Sequence, residues 1–463
     1  MLIQKEIMEE VIKKSASTGA DFVEVFAEDT VSHQLTVIGG QVETAKESRI
    51  RGVGLRIALG ADYVYGYTNN FDKESLLALA SDLSATFSSP VKEIVPLGEL
   101  KKGEHHKVKI YPKDVTNEMK KEVVMKAYNA AKAYSDEITQ CVASYIDWIQ
   151  KIEIAKMDGR FVEDERVYTR IAISAVASNG KESESGSDNP GMAMGFEVFD
   201  EIIDPEKSGK EAARQAIVNL HAKDCPSGEM PVIIDNGFGG VIFHEACGHA
   251  LEATAVARGA SVFAGKLHER IAHDCVSALD DGTIENAWGS ENYDDEGNLQ
   301  KKRLLIDKGI LVSYMIDELN SKRMNLPCTS SGRRESYKYA PTSRMSNTYI
   351  AKGESSLEDM LKGIEFGLYA KNMGGGSVDP ATGDFNFAVR EGYLIRDGKI
   401  AEAVKGASLV GNGAVILKNI DMVGKDVLQG QGMCGSVSGS IPTNVGQPAI
   451  RVSKITVGGR SAK

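Results

Sequence analysis

Long apolar runs are missing from this sequence. Its opening residues, MLIQKEIMEEVIKKSASTGADF, carry charges in every turn and offer no uninterrupted stretch suited to a signal peptide or a membrane span, so a cytoplasmic protein with no membrane partner is expected. Cysteine is scarce. Cys141, Cys225, Cys247, Cys275, Cys328 and Cys434 stand far apart with no Cys-x-x-Cys pair, a pattern of reduced intracellular thiols and not of a disulfide framework. Clustered basic residues are also lacking. With a net charge of −11 and only the local pair Arg333-Arg334, the chain shows no basic face for a duplex, and no nucleic-acid partner is expected. Gly374-Gly375-Gly376 precedes the acidic Asp379 and no Lys-Ser or Lys-Thr, which argues against a phosphate loop. No fixed-period repeat and no low-complexity tail is visible.

What is present is the composition of a soluble globular protein, 42% apolar and 26% charged. Its 463 residues exceed what one core usually supports, so two domains are expected. Residues 2–18 repeat apolar positions at helical spacing. Alternating segments then read as strands up to Gly60, and Asp72 and Thr116 or Asn117 open two helices. A strand meander from Glu137 to Phe199 contains Asp158-Gly159 and Asn179-Gly180, read as two-residue type I′ hairpin turns. Asp204-Pro205 caps a further helix to about Ala222, and a turn-rich join follows. Beyond it, strand-like runs alternate with Asp-Gly turns. One helix interrupts them, opened by a capping box of Ser355 with Glu358 and reaching to Gly374. The expected fold class is α+β in two domains. Residues 1–223 form a mixed α/β unit with a strand meander, and residues 224–463 form a mainly antiparallel β unit carrying a histidine-bearing helix.

That helix contains VIFHEACGHALE, residues 241–252. The zinc-protease pattern His-Glu-x-x-His puts both imidazoles on one helix face, but here three residues separate Glu245 from His249. Positions five apart differ by about 140° on a regular α-helix and cannot share a metal. A single π-type turn restores the alignment. The spacing therefore predicts a helix that departs from α geometry between His244 and His249, eased by Gly248. Both imidazoles would then ligate zinc, leaving Glu245 to take a proton from metal-bound water. For the third ligand, Glu252, His268, His273, Asp274 and Cys434 are all open by spacing. Cys247, inside the motif, reads as a small buried side chain.

Several long segments carry more specificity than the histidine pair. These are HEACGHALE at 244–252, GRRESYKYAPTSRMSNTYI at 332–350, NMGGGSVDPATGDFNFAV at 372–389, GMCGSVSGSIPTNVGQPAIRV at 432–452 and GADFVEVFAED near the start. In these, over nearly its whole length, the chain resembles the TldD/PmbA family of cytoplasmic metalloproteases, once described as modulators of DNA gyrase. The resemblance implies one zinc per chain held by His244, His249 and Cys434, with Glu245 as the catalytic carboxylate. Glu252 becomes a candidate to orient one histidine.

The resemblance also implies cleavage of unstructured peptides, not of folded proteins. Strand edges around 333–349 and 373–389 could hold an extended peptide by backbone hydrogen bonds. Arg333, Arg334, Tyr337, Arg344, Asn347 and Gly375 are candidate substrate contacts, although a structural hydrogen bond is the commoner role for such polar side chains. The expected function is zinc-dependent hydrolysis of unstructured peptides. The alternative is a non-enzymatic scaffold or gyrase-modulator role, and the expected assembly is a homodimer or a heterodimer with a related subunit lacking the metal motif.

Overall fold

The computed structural model describes residues 1–104, 106–379 and 381–460. Strands between Phe22 and Met192 build one sheet, and strands from Lys223 onward build the others. In the first part, α1 (Lys5–Ala16), β1 (Phe22–Ile38), β2 (Gln41–Leu59), β3 (Asp62–Thr68), α2 (Lys73–Ser84), α3 (Asn117–Lys132), β4 (Ile138–Lys156), β5 (Phe161–Ser178), β6 (Ser183–Asp188) and α4 (Pro205–His221) follow one another. The sheet runs β3-β2-β1-β4-β5, with β6 beside β5. Three helices start where an oxygen-bearing side chain satisfies exposed backbone N–H groups. Asp72 accepts from Ser75 N, Thr116 from Met119 N, and Asp204 from both Glu206 N and Lys207 N ahead of Pro205.

The two meander hairpins are looser than expected. Residues 157–160 and 179–182 form four-residue loops in which only Gly159 and Gly180 take positive φ, 88° and 84°. Asp158 and Asn179 keep negative φ, so these are not type I′ turns.

The second part contains β7 (Gly228–Ile234), β8 (Ala278–Asp281), β9 (Lys302–Asp307), β10 (Asn347–Ile350), β11 (Phe366–Val378), β12 (Asp384–Arg396), β13 (Lys399–Lys405), β14 (Ser408–Asn412), α5 (Gly413–Asn419), β15 (Leu428–Ser436), β16 (Gly439–Gln447) and β17 (Ile450–Gly458). Two sheets form here. The first closes on itself in the order β11-β7-β17-β14-β12, because β12 also pairs with β11, and β13 extends from β12. The second runs β9-β8-β10-β16-β15 and ends on β15 as an edge strand. Most pairs are antiparallel, but β7 with β11 and β10 with β16 are parallel.

The expected helix from Ser355 to Gly374 is replaced. The capping box is Ser356 with Asp359, one residue later, and the helix covers only Leu357–Leu361. The apolar residues that follow form β11, where Leu368 and Ala370 lie opposite Val232 and Ile234 of β7. Pairing on two sides outweighs a helical reading of a short apolar run.

A contiguous apolar core fills this second part, and Ala246, Cys247 and Cys434 belong to it. Across the junction with the first sheet, Phe26, Ile152, Ile154 and Val162 pack against Tyr293 and Tyr337, and acidic and basic side chains pair beside them. Arg56 reaches Glu296, Arg166 reaches Asp295, Lys156 and Arg160 reach Glu318, and Arg334 reaches Glu24. Both Glu24 and Arg334 are fully buried in side chain. A buried charge survives only when paired, so these contacts fix the register of one part on the other.

Candidate metal centre

The stretch from Val241 is helical, and its geometry changes within a few residues. Val241–Phe243 is α, His244–Gly248 is a π turn, and His249–Leu251 is 3₁₀. The N–H of His249 donates to the carbonyl of His244, the five-residue closure that defines the π turn. The two imidazoles consequently face one another edge to face, with ring centroids 5.2 Å apart. Gly248 leaves room beside the turn for the Met345 side chain. A Cβ there would lie 2.3 Å from Met345 Sδ, and Met345 is fully buried.

Cys434 reaches the same place from the edge strand β15. Its Sγ is 3.4 Å from His249 Nε2, and one donor atom each from His244, His249 and Cys434 lies within 4.8 Å of the other two. Among the described residues no other group of three such side chains meets. Of the open third-ligand candidates, His273 instead contacts Asp274 and Cys275 at an exposed position.

The electrostatics suit metal ligation. Burial would raise the Cys434 thiol, but His244, followed by His249, outweighs it and holds the thiol well below its ordinary range. His249 shows the reverse. Burial lowers its pKa, yet Glu252 and Cys434 push it well above the usual histidine value. Cys247, by contrast, is pushed up by burial alone, and its thiol donates to the Gly413 carbonyl within the apolar core. His244 Nδ1 is buried and finds no hydrogen-bond partner among the described residues. A thiol held low in pKa and two imidazoles, one with an orphaned ring nitrogen, within one small volume match a nitrogen- and sulfur-binding cation such as zinc.

Glu245 and Glu252 take different places around this cluster. Glu245 Oε2 is 3.7 Å from His249 Nε2 with its side chain 27% exposed, while Glu252 is 7% exposed and its Oε2 accepts from His249 Nδ1 at 3.1 Å. Glu245 can meet solvent, and Glu252 holds the ring.

Of the candidate substrate contacts, five are committed to internal partners. Arg333 donates to the Met345 and Pro442 carbonyls and pairs with Glu291. Arg334 pairs with Glu24. Asn347 donates to the Asp281 carbonyl and Ser290 Oγ. Tyr337 packs its ring over Gly52 and its N–H donates to Glu28, so it belongs to the junction between the two parts. Arg344 is fully buried and donates to the Cys434 and Gly439 carbonyls, with its Nε 3.9 Å from Glu252. It thereby ties the β15–β16 hairpin to the carboxylate that orients His249. Each of the five thus makes the internal contact that is the commoner role for such a side chain, and Arg333 and Arg334 also line a recess with Met433, Ser440 and Pro442. Gly375 alone is exposed, at a bulge where β11 loses register with β12.

Met345 is a residue that pattern reading passes over. It sits in the TSRMSN segment between Arg344 and Asn347, and only the packing against Gly248 reveals its part.

Comparison with known proteins follows this geometry. Models of the PmbA/TldA metallopeptidase match the chain in order, with domain 1 at residues 23–86, the central domain at 110–220 and the C-terminal domain at 227–459. The chain is 35% identical over 430 residues to a metalloprotease TldD homolog of Haemophilus influenzae, covering 88% of this chain and 87% of that protein. It is 26% identical to a zinc metalloprotease TldD homolog of Saccharolobus solfataricus, with 97% and 99% covered. A solved structure from Thermotoga maritima, described as a candidate modulator of a DNA gyrase, superposes with a TM-score of 0.78 at 21% identity, covering 98% of this chain and 100% of that one.

Proposed function

This chain belongs to the PmbA/TldD metallopeptidase family, and on that premise we propose that it is a zinc-dependent peptidase acting on unstructured peptides. The observation that carries the reading is the meeting of His244, His249 and Cys434 within 4.8 Å beside the partly exposed Glu245. Those three side chains would hold one divalent metal per chain, and such an ion supplies Lewis-acid polarisation of a peptide carbonyl and of water.

The protein's own groups divide the remaining work. Glu245 accepts the proton of the attacking water at its carboxylate and passes it to the departing amine. Glu252 holds His249 at Nδ1, fixing the tautomer that leaves Nε2 directed at Cys434. Arg344 steadies both Glu252 and the backbone of Cys434.

Peptide binding uses the edge of β15. In an antiparallel ladder, alternate residues turn both backbone groups away from the partner strand. Asn444 N donates to Ser346 O on the far side of β16, and Asn444 lies opposite Gln431. By that alternation Gln429, Gln431, Met433 and Gly435 turn their backbone groups outward, toward an extended chain. An edge of this kind accepts an unfolded segment with little side-chain selectivity and excludes a folded one.

We place the protein in the cytoplasm because its six cysteines are free; among the described residues no helix is long and apolar enough to cross a membrane. Its partner in assembly is a second copy or a related subunit without the metal motif. The non-enzymatic alternative, a gyrase modulator, gives no role to a buried His-His-Cys group. Metal analysis of the purified chain together with hydrolysis of an unstructured peptide before and after chelation tests the reading. One equivalent of zinc and chelator-sensitive cleavage are expected; a metal-free chain, or cleavage indifferent to chelation, refutes it.

A further inference from the structure

Beside the N-terminal half of β15 lies a recess of about 270 Å³ whose lining includes Phe238, Asn372 of β11, Arg390 of β12, Gln431 of β15, and Arg170 and Asn189 from the first part of the chain. It continues the outward edge of β15 away from Cys434. Gln431 and Gln429 precede Cys434 by three and five positions on that strand, roughly 10 to 17 Å at strand spacing.

Two cations line the recess with no ion-pair partner among the described residues. Arg56, Arg166, Arg303, Arg333 and Arg334 are all buried and ion-paired. Arg170 differs. It stacks on Trp288 at 5.1 Å and donates to the Asn189 carbonyl, but its Nε is buried without a partner, and among the described residues no carboxylate lies within ion-pair distance. Burial alone acts on its pKa, and lowers it. Arg390 is exposed and donates to Ser187 Oγ at 2.8 Å, with no carboxylate paired to it among the described residues. Asp188, the carboxylate in the lining, is pushed toward its neutral form by burial. A largely desolvated guanidinium beside an exposed one, with amides around them, is the chemistry that binds a carboxylate in a planar, charge-assisted fork.

Antiparallel addition would repeat on the outer edge the pairing that β15 makes with β16. A peptide added antiparallel to β15 runs from the Cys434 end toward Gln429, so its C-terminal side enters the recess. We propose that Arg170 and Arg390 bind a carboxylate of the substrate, three to five residues C-terminal to the bond that is cut. This rests on the peptidase reading for its meaning, but its binding test does not depend on cleavage. The carboxylate is that of the chain terminus or of an acidic side chain.

The test uses full-length, zinc-loaded Glu245→Gln protein, so that peptide is not consumed, and anisotropy of three labelled peptides. The first ends in a free carboxylate, the second is its C-terminal amide, and the third is an amide with glutamate replacing a neutral residue near the end. The free acid should bind about tenfold more tightly than the plain amide. A tight third peptide assigns the site to acidic side chains as well. Arg390→Gln, at an exposed position, should flatten the ranking without disturbing folding, and Arg170→Gln should do the same where its melting temperature is preserved. Equal binding of all three peptides, or a ranking unchanged in Arg390→Gln, overturns the proposal. A preserved ranking in Glu245→Gln, alongside a zinc-loaded wild-type chain that cleaves nothing, would leave this site standing while the peptidase reading falls.

Discussion

Cys434 Sγ lies 3.4 Å from His249 Nε2 although 185 positions separate the two residues in the chain. The helix contributes two nitrogens and the edge strand one sulfur, and neither element alone can bind a metal tightly. Arg344 is the strut between them, since it grips the Cys434 carbonyl and approaches Glu252.

Glu245→Gln keeps the side chain's shape and removes its capacity to take a proton. The variant should retain the wild-type metal content while peptide hydrolysis falls by about 10²- to 10⁴-fold. Metal content by mass spectrometry and turnover of an unstructured peptide are the paired readouts. Full activity in this variant would sink the assigned role.

Glu252→Ala removes the acceptor from His249 Nδ1 and strips Arg344 of its nearby carboxylate. Metal affinity should fall about 10- to 100-fold, read by competition against a chromogenic chelator, with Glu252→Gln intermediate because its amide oxygen still accepts. An unchanged affinity in Glu252→Ala would show that the ring needs no such support.

Gly248→Ala sets a methyl carbon against Met345 Sδ at 2.3 Å in the undisturbed geometry. Overpacking of a filled core costs about 1 to 3 kcal/mol, and denaturant melts should show it along with weakened metal binding. In Gly248→Ala/Met345→Ala the two changes should be less than additive, because each relieves what the other disturbs. Strict additivity would remove Met345 from the account of the π turn.

Stability should decline as pH rises from about 5 to 8. Burial raises Asp294 to about 7, and it raises Glu296 to about 8 against the opposing pull of Arg56. Between the ordinary carboxylate pKa and these values the native state holds protons that the unfolded chain has released, so increasing pH favours unfolding, at an order of a few kcal/mol in all. Glu318 acts in the other direction. Burial opposes its ionisation, but Lys156 and Arg160 prevail and hold it at about 2, so its contribution is full above pH 4.5 and is lost toward pH 2. Melting temperatures should therefore peak in mildly acidic buffer, and Asp294→Asn should flatten the decline above pH 5. A melting temperature that climbs from pH 5 to 8 contradicts this assignment.

The π turn was legible because two histidines five apart on a helix can meet only through one, and caps at Asp72, Thr116 and Asp204 were legible because their signal is local. The capping box slipped by one residue because Ser355 and Ser356 are adjacent and each has an acidic residue three positions on, Glu358 or Asp359. The strand at Phe366–Val378 was hidden because its pairing with Val232–Ile234 is nonlocal. Buried ion pairs such as Arg334 with Glu24 were invisible for the same reason. They engage Arg333 and Arg334 as struts, which the sequence could not show because charge in a sequence reveals neither depth nor partner.

The placement of the sulfur on β15 also orders events during synthesis. Translation delivers His244 and His249 together, and the thiolate only after β8 to β14 and α5 have followed. No fragment ending before residue 434 contains the full donor set. On the proposed peptidase reading, a nascent chain thus carries an incomplete centre throughout the period when its own unfolded segments are most exposed, and cutting power would arrive only with the strand proposed to hold the substrate.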